Sequence, residues 1–198
     1  SAPAIQGESN WSYIIEAEYL KPLVELCYGD DASVAEKAVW PLANITGDEC
    51  YARVRVIEAG GVDALLHLTS KVATFRVSFV RTISWWFANM CKKLYGPLDV
   101  LRTLAQGLAA LARYQDAVVR QNVAWAFAYI TDGSDQPKIL PHEVGALDHL
   151  VKAFDEDNCD LILPTLRILC NISAAYYEDT VQIIITKGYL KNHINRLL

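Results

Sequence analysis

One order of apolar and polar positions recurs four times along the chain. The segments that share it are AVWPLANITGD (38–48), ISWWFANMCKK (83–93), VAWAFAYITDG (123–133) and TLRILCNISAA (165–175), and they align without gaps. Within each segment the apolar residues follow the spacing of one face of an α-helix. Successive segments begin roughly 40 to 45 residues apart, and a constant period of that length indicates stacked structural repeats.

A second recurring pattern lies between these segments and predicts a turn followed by an amphipathic helix. It is carried by IIEAEYLKPLVEL, VIEAGGVDALLHL, LPHEVGALDHLV and IITKGYLKNHINRL. Gly60, Gly145 and Gly188 occupy the turn, and Glu18 stands there in the first copy. No segment alternates apolar and polar residues between hairpin turns, so we expect no β-sheet.

Each repeat is therefore predicted to contain a short first helix, a glycine turn, a second helix and a longer third helix. The predicted third helices span about 33–46, 77–92, 116–131 and 158–172. The predicted second helices span about 19–28, 62–70, 98–112, 146–154 and 189–197. Pro41 lies inside the first of these third helices, where its missing N–H predicts a kink.

Three helices in roughly 40 to 47 residues are typical of the armadillo repeat. We predict an all-α, right-handed superhelical armadillo solenoid that forms a single domain over residues 1–198. Its expected divisions are a partial repeat at 1–28, a third helix alone at about 29–48, repeats at 49–93, 94–133 and 134–175, and a partial repeat at 176–198. Because both ends interrupt a repeat, we expect an excised fragment, with a natural short paralogue as the alternative.

The net charge of −5 disfavours binding to nucleic acid, since a phosphate backbone is normally neutralised by clustered Lys and Arg. A basic partner suits the chain better. No stretch has the length of apolar residues that a membrane span requires, and the N-terminus lacks the order of a signal peptide. We therefore expect a soluble protein with no membrane insertion.

The cysteines and histidines give no sign of a metal site or an active site. The cysteines are odd in number and widely spaced, without a CxxC pair, which favours reduced, buried structural thiols in an intracellular protein. The histidines form no HExxH spacing, and neither a GxSxG nor a GxxxxGK loop occurs. We predict no catalytic residue, no metal and no cofactor.

The strongest candidate chemistry lies on the third helices, where tryptophan is followed four residues later by a polar side chain. The successive pairs are Trp40 and Asn44, Trp85 and Asn89, Trp125 and Tyr129, and Arg167 and Asn171. Residues four apart share one face of a helix. An indole face attracts Lys and Arg head groups, and an asparagine amide can both donate to and accept from a peptide backbone. Packing of the indoles in the core is the alternative; Trp11 and Trp86 lie outside the repeated frame and are predicted to be core.

Two carboxylates near the predicted ends of third helices are candidates for charge recognition. Asp48 follows Asn44 by four residues, and Asp132 follows Tyr129 by three. A carboxylate near a helix C-terminus is unfavourable to the helix dipole, so it points to another role. Binding of a lysine ammonium group and capping of the next helix both remain open at this stage.

These segments resemble the importin-α family, the armadillo adaptors of nuclear import. AVWPLANITGD is similar to the third repeat of that family, SWWFANMCKK to the fourth, WAFAYITDG to the fifth and TLRILCNIS to the sixth, where the family also carries Arg. Residues 11–28 resemble the end of the second repeat. The resemblance covers nearly the whole chain and implies a protein that shuttles between cytoplasm and nucleus.

The family resemblance also implies a set of binding residues and partners. Trp40, Asn44 and Asp48 match the major site for basic, lysine-rich localisation peptides, and Asp48 matches the aspartate that pairs with the key lysine. Family members bind importin-β through an N-terminal basic domain and carry a second peptide site in later repeats. Neither of these regions matches any part of the present sequence.

Several positions depart from the family pattern. Lys37 stands where the family usually has Gln, and Thr82 where it usually has Asn. Val118 and Asn122 replace family acids. Lys37 brings a like charge towards the predicted lysine slots, so the alternative function is a divergent armadillo scaffold for other protein–protein interactions, with weakened or lost localisation-signal binding.

Overall fold

The computed structural model describes residues 19–48, 50–156 and 158–189, which are helical with no β-strand. In chain order the helices are α1 (Leu20–Leu26), α2 (Ala32–Asp48), α3 (Cys50–Glu58), α4 (Gly61–Ser70), α5 (Val77–Cys91), α6 (Leu98–Leu111), α7 (Ala117–Thr131), α8 (Leu140–Glu143), α9 (Leu147–Leu150), α10 (Cys159–Ser173) and α11 (Glu178–Lys187). Short 3₁₀ turns occupy Val72–Thr74, Gln136–Ile139 and Val151–Asp155.

The predicted third helices are confirmed as α2, α5, α7 and α10, each within two residues of its expected bounds at either end. Pro41 lies within α2, and the helix continues through it. The predicted second helix at 146–154 is instead the short α9 followed by a 3₁₀ turn. The one predicted at 189–197 lies outside the described residues, apart from Tyr189.

The predicted first helix is missing from the repeat at 94–133. The described chain passes from α5 to α6 through Leu94, Tyr95, Gly96 and Pro97 without a helix. Gly disfavours helix and Pro restricts the residue before it to extended conformations, so this sequence connects the two helices directly.

The third helices pack side by side and set the architecture. Helix α5 lies between α2 and α7, and α7 lies between α5 and α10. The second helices α4 and α6 pack against one another in a separate layer. A single buried core runs between the layers, and Trp86 lies in it with no exposed surface, as predicted. Trp11 lies outside the described residues.

The glycine turns reflect a backbone requirement. Gly60, Gly145 and Gly188 have φ values of 92°, 70° and 67°, a left-handed conformation that side chains with a Cβ avoid. The turn predicted from the recurring glycine is therefore confirmed. Glu18, its counterpart in the first copy, is outside the described residues.

The cysteines are only partly as predicted. Cys27 and Cys91 are buried, and burial raises the pKa of the Cys27 thiol to about 12. Cys50, Cys159 and Cys170 are exposed, so the prediction of buried thiols is wrong for these three. Cys159 and Cys170 lie on α10, whose flank away from α7 receives fewer covering residues from α11.

Charged pairs join successive third helices near their N-terminal ends. Arg76 donates to Glu36 across α5 and α2, through Nε at 3.0 Å and also through Nη2. Arg120 of α7 pairs with Glu156, just before α10, at 2.5 and 2.7 Å. Arg81 of α5 reaches Asp116, which is the N-cap of α7.

Asp116 combines two roles at this junction. Its carboxylate accepts a hydrogen bond from the Val119 backbone N–H at 3.1 Å, which caps α7, and it accepts two from the Arg81 guanidinium at 2.7 and 3.1 Å. The hydrogen-bonded Arg81 side chain lowers the pKa of Asp116 in spite of partial burial. One carboxylate therefore both starts a third helix and fastens it to the preceding one.

Replacing Gly107 by Ala is expected to destabilise the fold. The added Cβ would lie 2.6 Å from Cζ of the fully buried Phe87 and 3.1 Å from Leu66, so the Phe87 ring or the helix that carries Gly107 must shift. Overpacking of this kind costs about 1 to 3 kcal/mol, which exceeds the gain of roughly 1 kcal/mol in helix propensity. Urea unfolding measures the difference. Gly133→Ala, whose Cβ meets Tyr95 at an ordinary 3.5 Å, is the control and should change stability much less.

Replacing Asp116 by Asn keeps an oxygen that can cap α7 but removes the charge that pairs with Arg81. Because the folded-state pKa of Asp116 is lowered, the pair stabilises the fold above the unfolded pKa of about 3.9 and this contribution is lost as pH falls through the folded pKa. We expect Asp116→Asn to unfold at a lower urea concentration than the wild type near pH 7. The difference should vanish at a pH below both the folded and the unfolded pKa of Asp116. A difference that is equal at both pH values would contradict this account, and Asp99→Asn in the first turn of α6 is the control.

Candidate functional site

The repeated tryptophans occupy the same position on three neighbouring third helices. Trp40 on α2 is 59% exposed, whereas Trp85 on α5 and Trp125 on α7 are half-buried and contact the core with part of their surface. All three therefore retain accessible surface where their helices lie side by side. We call the surface that carries these three side chains the indole face.

A cleft of about 350 Å³ opens between α2 and α5 on this face. It is lined by Glu36, Lys37, Trp40, Arg76 and Thr82. Two of the four residues that depart from the family pattern, Lys37 and Thr82, thus face the same cleft as the first indole. We call it the Lys37 cleft.

The asparagine amides hold neighbouring helices together. Asn89 Nδ2 donates to the Ala43 carbonyl of the preceding third helix at 2.8 Å. Asn171 Nδ2 donates to the corresponding Ala128 carbonyl at 3.2 Å and to Thr131 Oγ1 at 3.0 Å. Asn44 instead donates to the Trp40 carbonyl of its own helix at 2.9 Å.

Small residues allow the amides to reach across. Ala43 and Ala128 are fully buried at the interface between third helices. A Cβ on Gly47 would lie only 3.0 Å from Asn89 Nδ2, so a side chain at this position would crowd the amide. The side-chain carbonyl oxygens of these amides are left available, and Asn44 and Asn89 each keep a second N–H group, whereas Asn171 uses both of its N–H groups.

The third helix α7 carries an aromatic pair in place of a tryptophan and an amide. The rings of Trp125 and Tyr129 stack with centroids 5.9 Å apart and planes 29° from parallel. This pair presents a broader apolar surface than the Trp and Asn pairs beside it. Its Tyr hydroxyl is the polar group available at that position.

The two candidate carboxylates lie in different surroundings. Asp48 is the last residue of α2; it is exposed and forms no hydrogen bond or ion pair with the described part of the chain. Asp132 follows α7 directly and lies 3.4 Å from Arg167 Nη2 of α10. Arg167 thus pairs with the carboxylate that a ligand cation would otherwise approach, although both side chains remain about half exposed.

Two features of this surface were not anticipated from the sequence. One is the ion pair between Arg76 and Glu36 at the edge of the Lys37 cleft. The sequence pattern that could have indicated it is an acid one turn before Trp40 and an Arg immediately before the next third helix. The other is the use of asparagine amides between helices. Its signal is the alanine, Ala43 or Ala128, that precedes the polar position in the preceding repeat and whose carbonyl accepts the bond.

The surface offers no metal site within the described ranges, where no three His, Cys, Asp or Glu side chains are grouped to hold an ion. In the same part of the chain no helix is long and apolar enough to cross a bilayer.

Comparison with known proteins gives two consistent results. The chain is 42% identical over 178 residues to importin subunit alpha-2 of Caenorhabditis elegans, which covers 89% of this chain and 33% of that protein. It is 27% identical over 164 residues to importin subunit alpha-1b of Oryza sativa, covering 82% of this chain and 30% of that protein. The chain thus spans about a third of the length of these curated relatives. No protein-family model matches it.

Among solved structures, computationally designed armadillo repeat proteins for modular peptide recognition superpose with a TM-score of 0.78 at 26% identity, covering 90% of this chain and 74% of the designed one. A designed armadillo repeat protein in complex with the peptide (KR)4 gives a TM-score of 0.76 at 25% identity, covering 90% and 75%. The chain is therefore an armadillo-repeat protein with an all-α solenoid fold. Within that class its sequence resembles the importin-α family over most of its length, which confirms the resemblance found in the repeated segments. None of these relatives is described as an enzyme.

Asn89→Ala is expected to lower the free energy of unfolding by about 1 kcal/mol, since it removes a partly buried hydrogen bond between two third helices. The matched control is Asn44→Ala, which removes an exposed bond within one helix and should cost only a few tenths of that amount. Urea denaturation followed by circular dichroism measures both. Equal losses in the two variants would mean that the amide of Asn89 does not fasten the helices.

Proposed function

We propose that the indole face binds basic, lysine-rich localisation peptides and that the chain is a module of a nuclear import adaptor. The observation that carries this proposal is the placement of three partly exposed indoles, in one register, on neighbouring third helices. Single aromatic residues on a helix are usually core, but packing does not require that the same residue stay accessible in three successive repeats.

The indoles account for affinity towards basic side chains. A Lys or Arg head group over an indole face gains about 0.5 to 2 kcal/mol, and its aliphatic stem covers apolar surface at the same time. Trp40 offers the largest accessible surface of the three. An extended peptide laid across the third helices would place side chains against successive indoles.

The amides and Asp48 account for backbone contact and for charge preference. The side-chain carbonyl groups of Asn44, Asn89 and Asn171 and the second N–H groups of Asn44 and Asn89 suit the main chain of an extended peptide irrespective of its sequence. Asp48 supplies an exposed carboxylate without a partner in the described structure, at the C-terminal end of the helix that carries Trp40. Capping of α3 by Asp48 is the competing role, which peptide binding by the variant below distinguishes.

Support for basic peptides as ligands comes from the relatives as well. The curated relatives are importin α subunits, and one designed armadillo neighbour was solved with a peptide of alternating Lys and Arg. By analogy we propose shuttling between cytoplasm and nucleus and cooperation with importin-β through a region other than these residues. The divisions of the chain into repeats given above are proposed on the same basis.

The alternative is a divergent armadillo scaffold that binds other proteins. Two observations favour it: Lys37 faces the cleft beside Trp40, and Arg167 forms an ion pair with Asp132. Both place a positive charge where a basic peptide would bind. The alternative predicts a folded protein that does not bind lysine-rich peptides.

Titration of the chain with a fluorescent lysine-rich peptide tests the proposal. We expect saturable binding that weakens when salt is raised from about 50 to 300 mM, because the attraction is between exposed charges. Asp48→Lys should weaken binding by about tenfold or more, since it replaces an attractive charge by a repulsive one. Fluorescence anisotropy measures the affinity.

The matched control is Asp99→Lys, which makes the same charge change in the first turn of the second-layer helix α6. It should leave the affinity within about twofold, the size of a long-range screened effect. If both variants lose binding equally, the effect is one of net charge and Asp48 is not a ligand. Absence of binding by the folded wild type would favour the divergent scaffold.

A further inference from the structure

The Lys37 cleft has an excess positive charge next to an indole. Its ionisable lining residues are Glu36, Lys37 and Arg76. The other two lining residues, Trp40 and Thr82, are neutral. Lys37 is exposed and forms no ion pair within the described ranges. A free ammonium group therefore shares the cleft with the most exposed of the three indoles.

The acid in the cleft does not neutralise Lys37, because it is committed to Arg76. Arg76 donates to Glu36 through both Nε and Nη2, on the same carboxylate oxygen. The Glu36 side chain is only 19% exposed and the Arg76 side chain 71% exposed, so the pair places its acid inside and its cation towards solvent. The sum over the three side chains is one positive charge.

We propose that the Lys37 cleft selects an acidic side chain, so that the peptides bound by this protein carry one glutamate or aspartate at a fixed position among their basic residues. This rests on the proposed function. A lysine entering the cleft would bring a second ammonium group towards Lys37, whereas a carboxylate would pair with Lys37. The indole accommodates the methylene groups of either side chain.

The preference is confined to one peptide position because Asp48, the carboxylate that favours basic side chains, lies far from Lys37. Lys37 and Asp48 are on the same helix, separated by about 16 Å along its axis at 1.5 Å per residue. No single peptide side chain reaches both. The groove therefore discriminates by sign at two separate places, with acid preferred near Lys37 and base near Asp48.

A glutamate scan of a lysine-rich peptide tests this proposal. Each residue of the parent peptide is replaced singly by Glu, and fluorescence anisotropy gives the affinity of every peptide for the full chain. For the wild type we expect one position at which Glu binds about fivefold more tightly than Lys, the upper range for an exposed charge pair. Glu at the remaining positions should weaken binding.

Variants at Lys37 assign that position to the cleft. Lys37→Glu should reverse the preference at this one position and leave the others unchanged, and Lys37→Gln should abolish it. Lys152→Glu makes the same charge change at an exposed lysine outside the cleft and should preserve the wild-type profile. Circular dichroism of each variant checks that it is folded.

The outcomes separate this inference from the function on which it rests. If lysine-rich peptides bind but the scan has the same profile in the wild type and in Lys37→Glu, the cleft does not select charge and the inference is overturned, while the proposed function stands. If no peptide in the series binds the folded wild type, both are overturned. A reversal caused equally by Lys152→Glu would also overturn it, since the effect would then be one of overall charge.

Discussion

The structure depends on the lateral packing of its third helices. Because α5 and α7 each bury two opposite flanks against neighbouring third helices and a third side against the second-layer helices, only a narrow stripe of each stays accessible. The composition of that stripe is therefore where the sequence is free to encode recognition. Buried positions in the third helices are restricted to residues that fit, such as Ala43, Ala128 and Trp86. The indole face is the part of the third-helix surface that packing between repeats leaves exposed.

Asn89 and Asn171 show how closely scaffold and candidate site are joined. Each amide lies on the accessible stripe, yet one of its N–H groups is bonded to a backbone carbonyl of the preceding repeat. The same side chain thus stabilises the stack and keeps its carbonyl oxygen available for a ligand. This arrangement means that the polar groups of the face are held in position before any ligand arrives, which reduces the conformational entropy lost on binding.

The repeat, its helices and its glycine turns could be predicted because they follow from local rules: helical spacing of apolar residues and the left-handed conformation at Gly60 and Gly188. Features that depend on which flank of a helix meets its neighbour could not. The exposure of Cys170, the bond from Asn89 to Ala43 and the pairing of Arg81 with Asp116 all arise between residues far apart in sequence. Helical spacing places a residue on a face, but it does not say what the next repeat brings opposite that face. The placement of Lys37 in the cleft is of the same kind.

The even stacking of the third helices also sets the spacing at which their side chains can contact an extended peptide. Packed helix axes lie about 8 to 10 Å apart, whereas side chains on one side of an extended peptide recur about every 6.6 Å. A straight peptide in register with Trp40 would drift by roughly 2 Å at each further repeat. The mismatch accumulates with length. Short clusters of recognised residues are consequently matched to such a surface, and a long uniform tract would not remain in step with it.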